Sequence, residues 1–256
     1  MLNSVIYDIV PLNLAKLQPD FLTTNCHKWL YTPRGSAVLY VPTRNQHLIR
    51  TTLPTSWGYI PPDISDNIVK DNNGKPKTKF ELLFETVATC DDTPYACIPT
   101  AIKFRNQVCG GDERIFEYLE TLAIEGGDIV ASALGTEVMG GGTKRADHDH
   151  QHASVSLFRR CAMFNVKLPF VFVPSDQPIE EPFHFYEYDA PYIVKWMGRT
   201  LVQKYGTFVP TSWYGGALWT RLSAQIYLDK SDFDWIGGVL KEMCEVVGNR
   251  VVNVKE

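Results

Sequence analysis

The stretch Asn25-Cys26-His27-Lys28-Trp29-Leu30 constrains this chain more than any other, because of what brackets it. Asp20-Phe21-Leu22-Thr23-Thr24 leads in with strand-forming residues, and Pro33-Arg34-Gly35 turns the chain before the apolar run Ala37-Val38-Leu39-Tyr40-Val41. Apolar and β-branched residues bounded by turn formers read as two strands. Lys28 is therefore expected at a strand end, rigidly presented. Most lysines after a strand are simply solvated. Here Asn25 and His27 flank the amine with hydrogen-bond donors, and a lysine kept partly as the free amine can condense with a carbonyl compound.

The rest of the chain sorts into alternating sheet and helix signals. Apolar runs over residues 5–10, 21–24 and 37–41 suit a sheet covered on both faces. Lys70-Asp71-Asn72-Asn73-Gly74-Lys75-Pro76-Lys77 reads as an exposed loop. The spacing of Ala101, Ile102, Phe104, Arg105 and Val108 predicts a helix over 99–109, stopped by Gly110-Gly111. A second helix is predicted from Asp112 toward Leu134, with an irregularity at Gly126-Gly127 and a length suited to joining two lobes. Strands are expected over 160–168, 170–173 and 217–228. Helices are expected over 190–205 and 231–247, the last with Ser231 as its N-cap and Asp232 and Asp234 in its first turn. No internal repeat is visible.

At 256 residues, with 45% hydrophobic and 21% charged side chains, the chain can bury a sizeable core as one or two domains. A net charge of -4 and a pI near 5.9 offer no basic field for phosphate backbones, so nucleic acid is not expected as a partner. No apolar run is long enough to span a bilayer, and residues 1–8 do not read as a secretion signal. Cys26, Cys90, Cys97, Cys109, Cys161 and Cys244 are scattered without CxxC spacing. A cytoplasmic, reducing location is the expectation.

Two other segments carry possible chemistry. In Phe84-Glu85-Thr86-Val87-Ala88-Thr89-Cys90-Asp91-Asp92-Thr93-Pro94-Tyr95 a strand end feeds a turn. In Trp219-Thr220-Arg221-Leu222-Ser223 an arginine sits in an alternating strand, where it pairs with surface acids or clamps a carboxylate with its planar fork. Asp147-His148-Asp149-His150-Gln151-His152 has ligand types at alternate positions but lies in a polar, glycine-rich region. It is read as a solvated loop, with no metal assigned. Gly140-Gly141-Gly142-Thr143-Lys144 lacks Walker spacing. The aromatic stretches 182–188 and 211–216 read as packing.

Taken in order, these segments resemble the class V aminotransferase superfamily of pyridoxal-phosphate (PLP) enzymes, most closely its isopenicillin N epimerase-like branch. There an Asn-x-His-Lys-Trp-Leu signature precedes a Pro-x-Gly turn. The likeness continues through Arg44-Asn45-Gln46-His47-Leu48-Ile49-Arg50 and Pro54-Thr55-Ser56-Trp57-Gly58, and it covers the chain from about Pro11. It implies Lys28 as the Schiff-base lysine and proton shuttle, with Asn25 and His27 as phosphate ligands. Thr89 matches a threonine that reaches the cofactor phosphate of a neighbouring subunit, although Ala88 stands where glycine is usual. Arg221 matches the arginine that binds the substrate α-carboxylate.

The resemblance implies an α/β fold: residues 1–124 as the carboxyl-terminal part of a fold-type I large domain, a mixed sheet flanked by helices, and 125–256 as an α+β small domain. It implies a homodimer acting on an amino-acid-like small molecule by epimerisation, C–S lysis or desulfuration. Family members are about 400 residues or more and carry the phosphate loop, the ring-stacking residue and the pyridine-pairing aspartate before the lysine. Asp8 lacks that aspartate's neighbours and is not given its role. The chain is therefore expected to be the carboxyl-terminal part of such an enzyme, the alternative being a non-catalytic fragment without half of the cofactor site.

Overall fold

The computed structural model describes residues 12–52, 59, 68–70, 73–85, 91–141, 156–179, 181–249 and 254. The strand expected over 5–10, Thr89 and the loop around His148 to His152 lie outside the described residues. The chain forms two compact units, Met1–Gly111 and Asp112–Glu256. It mixes helix and sheet throughout.

The first unit opens with α1 (Leu14–Leu17), whose N-cap Asn13 accepts a hydrogen bond from the Lys16 amide. Strand β1 (Leu22–Asn25) runs into a single helical turn, α2 (Cys26–Trp29), and returns antiparallel as β2 (Ala37–Tyr40). A 3-10 helix, Thr43–Leu48, is tied to the approach to β1: Arg44 donates to the Gln18 carbonyl at 3.1 Å and Asn45 to the Asp20 carbonyl at 3.1 Å. Next come β3 (Ile68–Lys70), β4 (Pro76–Thr78), α3 (Lys79–Glu85), α4 (Thr93–Ala96) and α5 (Ile98–Gln107).

Two expectations for this unit are corrected. The sheet is a two-stranded ribbon whose return strand is exposed, with Val38 at 40% and Leu39 at 38%, not a sheet covered on both faces. Among the described residues no third strand pairs with it. The polar stretch expected as a loop is also the tip of an antiparallel hairpin, β3 with β4. There Gly74 takes φ +74, a left-handed conformation glycine adopts without a Cβ clash.

The second unit begins with α6 (Asp112–Leu134), followed by β5 (Met163–Lys167), β6 (Val171–Val173), β7 (His184–Tyr186), α7 (Ala190–Tyr205), β8 (Thr211–Tyr214), β9 (Ala217–Ser223) and α8 (Lys230–Gly248). Strand β9 is central in an antiparallel sheet, β5-β9-β8, while β6 and β7 pair in parallel. Alternation along β9 buries Leu218, Thr220 and Leu222 and turns Arg221 and Ser223 outward. The core, with Leu119, Val130, Val166, Leu218, Leu240 and Met243 almost wholly buried, lies where α6 and α8 pack together and α6 meets β5. The division read from the sequence after residue 124 falls inside α6, which belongs whole to the second unit.

Helix α6 runs through Gly126-Gly127 without the expected irregularity, and both glycines are packing positions. A Cβ on Gly126 would lie 2.7 Å from the Phe233 ring, and one on Gly127 would lie 3.3 Å from Phe164 and Val138. The start of α8 is also corrected. Its N-cap is Asp229, which accepts from the Ser231 amide at 2.7 Å while Asp232 accepts from the Asp229 amide at 2.8 Å, a reciprocal cap. The Ser231 hydroxyl, donating to Asp229 at 2.6 Å, and then the Ser231 amide hold the Asp229 carboxyl below its usual range. The expected strand over 160–168 starts only at Met163. Before it, Arg159 is buried, its guanidinium on Asp128 and on the Ile124 carbonyl, both at 2.7 Å. The strand expected over 217–228 ends at Ser223, before the Gln225 to Leu228 turn.

Candidate functional site

Lys28 sits on α2, one turn beyond the end of β1, and its side chain is exposed. Its backbone is held from both directions. On the near side β1 pairs with β2 through Asn25 opposite Ala37, and the Cys26 amide donates to the Ser36 carbonyl at 3.0 Å. Ser36 is buried and shares a hydrogen bond with Thr32 at 2.9 Å, fixing the far side of the turn. Between them Gly35 takes φ +109, the conformation the Pro33-Arg34-Gly35 signal implies.

Beneath the turn lies a small apolar cluster: Cys26, Leu30 and Ala101, with Trp29 and Ile98 packed against it. Cys26 is fully buried, and desolvation pushes its thiol up, offset in part by its bond to Ser36. It is thus a core side chain, not a nucleophile. Helix α5 supplies the other wall and with it a residue the sequence reading passed over. Arg105 is only 3% exposed, and its Nη1 donates to the Trp29 carbonyl at 2.5 Å. Its guanidinium also lies over the rings of Trp29 at 5.7 Å and Tyr31 at 5.4 Å. The available signal was its place four residues after Ala101, on the buried face of α5.

Asn25 is the N-cap of α2, yet its side chain makes no capping bond. The Nδ1 of His27 is buried and has no hydrogen-bond partner among the described residues. Lys28 and His27 are neighbours in the chain on this turn, the lysine exposed and the histidine Nδ1 buried. Asn25, His27 and Lys28 lie on one strand-to-turn junction, where their places in the chain put them.

Arg221 belongs to the second unit. Its backbone amide donates to the Pro210 carbonyl at 2.9 Å and it lies opposite Asn165 across β5 and β9. The side chain helps line a cavity of about 330 Å³ with Phe208, Leu228, Asp232 and Trp235. Asp232, the only acid of that lining, is engaged in the α8 cap. Among the described residues no carboxylate forms an ion pair with Arg221.

Among the described residues no cluster of His, Cys, Asp and Glu could hold a metal ion, and no helix is long and apolar enough to cross a membrane. The described cysteines, Cys26, Cys97, Cys109, Cys161 and Cys244, are all free thiols.

No family model matches the chain. Individual relatives do. It is 40% identical over 246 residues to the L-cysteine desulfhydrase-like protein lolT1 of Epichloe uncinata, covering 93% of this chain and 53% of that protein. It is 40% identical over 247 residues to lolT2 of the same organism, covering 93% and 52%. It is 32% identical over 238 residues to the hercynylcysteine sulfoxide lyase of Schizosaccharomyces pombe, covering 93% and 49%. Along nearly all of its length, then, this chain is similar to proteins named for cysteine desulfhydration and for the lysis of hercynylcysteine sulfoxide, and it spans about half the length of the curated relatives it matches.

Proposed function

We propose that this chain forms part of a PLP-dependent C–S lyase acting on a cysteine-derived amino acid, with Lys28 as the cofactor-holding lysine. One observation carries the reading. The exposed Lys28 stands on a turn fixed by buried neighbours and follows a histidine whose buried Nδ1 has no partner among the described residues. The names of the relatives support the choice of C–S cleavage over epimerisation.

Each residue then has a task. Lys28 would hold the cofactor through Nζ and, as a base, would take the proton from the substrate Cα. Asn25 and His27 donate hydrogen bonds to the phosphate, and Thr89 contributes a hydroxyl to the phosphate of a second copy in a homodimer. Arg221 receives the substrate α-carboxylate in a two-pronged ion pair, orienting Cα. When bound, PLP supplies the electron sink that acidifies the Cα proton and lets a sulfur substituent on Cβ depart. Residues 1–124 are assigned to the large domain and 125–256 to the small domain of a fold-type I enzyme in the cytoplasm.

Incubating the chain with PLP tests this reading. An absorbance band near about 420 nm is expected, collapsing when L-cysteine or a cysteine S-oxide is added. A soluble, folded chain that develops no such band contradicts it and leaves the non-catalytic fragment as the better account.

A further inference from the structure

We propose that Arg105 is a positioning residue for Lys28, an inference that rests on the assignment of Lys28 above and extends it to what holds that lysine in place. Helix α2 is a single turn, too short to stabilise itself by propagation. Its geometry must come from what its two ends are fastened to. The near end is fastened by the ribbon, through the Cys26 amide on Ser36. The far end is Trp29, the residue next to Lys28, and its carbonyl is one of the orphans a helix terminus leaves behind. Arg105 supplies the donor, at 2.5 Å.

The same guanidinium spans to Tyr31, whose ring it faces at 5.4 Å and which Phe104 meets edge-on at 5.9 Å. Tyr31 has φ +60, a left-handed conformation that is costly for a residue with a bulky side chain. Such a conformation persists only where its surroundings over-determine it. Here Arg105 and Phe104, adjacent on α5, trap the ring. One planar cation thus fixes both the carbonyl that follows Lys28 and the backbone reversal two residues further on. Lysine cannot replace it, because a point-like ammonium lacks the fork that reaches carbonyl and rings together.

The experiment uses the full chain with R105K, and with Tyr31→Gly as a second variant that accepts φ +60 without strain but lacks the trapped ring. PLP affinity is read by titration. Amide hydrogen exchange over residues 26–31, the pH profile of borohydride trapping at Lys28, and the melting transition are read alongside it. For R105K a roughly tenfold weaker PLP affinity is expected, the scale of a small misplacement of a reacting group. Exchange over 28–31 accelerates and the trapping profile moves in pH, while the melting transition stays within a few degrees of wild type. Tyr31→Gly shows the same pattern. Wild-type affinity and wild-type trapping profile in R105K overturn the proposal, as does a loss of affinity that merely follows loss of the folded state in both variants. If the wild-type chain takes up no PLP, the functional reading fails by itself. Exchange then decides the positioning claim: acceleration over 28–31 in R105K sustains it, and unchanged exchange overturns it.

Discussion

Replacing Lys28 by alanine abolishes the absorbance near about 420 nm that PLP develops with the wild-type chain, while the protein stays folded. The two halves of this expectation have separate causes. The chromophore needs a primary amine that can lose its proton, and alanine has none. The fold survives because the Lys28 side chain is exposed and the turn under it is held by Cys26, Leu30, Ala101 and Arg105. Lys28→Arg gives the same loss with the charge retained, since a guanidinium stays protonated at any working pH. Absorbance titration with PLP, paired with far-ultraviolet circular dichroism, reads both halves. Full absorbance in either variant places the chemistry at another lysine.

The second large effect belongs to the scaffold. Gly126→Ala destabilises the second unit by about 1–3 kcal/mol, the cost of overfilling a close-packed core. The added methyl would meet three carbons of the Phe233 ring at 2.7 to 2.9 Å. That ring cannot swing away, since it is 3% exposed and lies against Phe164 with ring centres 5.6 Å apart. The helices must separate instead. Gly198→Ala is the matched control. It lies inside α7 with nothing within 4 Å of the position its Cβ would take, so alanine there stabilises by about 0.5–1 kcal/mol through helix propensity. Urea unfolding checks both, and equal midpoints for the two variants contradict the packing account.

Gly126 also shows where reading the sequence reaches its limit. Its helical periodicity is visible through Ile115, Leu119 and Leu122, but a glycine pair carries no mark saying whether it bends a helix or admits a neighbouring ring. That depends on Phe233, more than a hundred positions away in the chain. Helix α7 was fully legible, with the same bounds in the structure, because local chemistry sets both ends: a proline in its first turn and Gly206 at φ +63 after its last. At α8 the local chemistry was present but misassigned. Asp229 and Asp232 cap each other, and Ser231 donates to that cap.

In the first unit Asn73-Gly74 is a hairpin signal that the surrounding lysines and asparagines masked. The apolar run over 37–41 correctly marked a strand, but apolarity alone does not say what covers it, and Val38 and Leu39 stand exposed. The candidate site divides in the same way. Asn25, His27 and Lys28 could be proposed from sequence because they fall within four consecutive residues. Arg105 was not, because its link to Trp29 is closed only when α5 packs under the turn. The left-handed Tyr31 had no sequence signal at all, since tyrosine is among the residues least expected there.

The central claim is that Lys28, and no other amine of this chain, holds the cofactor. Borohydride reduction of the chain after incubation with PLP, followed by peptide mapping by mass spectrometry, tests it most directly. The account predicts one phosphopyridoxyl group, on the peptide that contains Lys28. A group found instead on Lys79, whose Nζ is buried without a partner among the described residues, or spread evenly over the surface lysines, would contradict it.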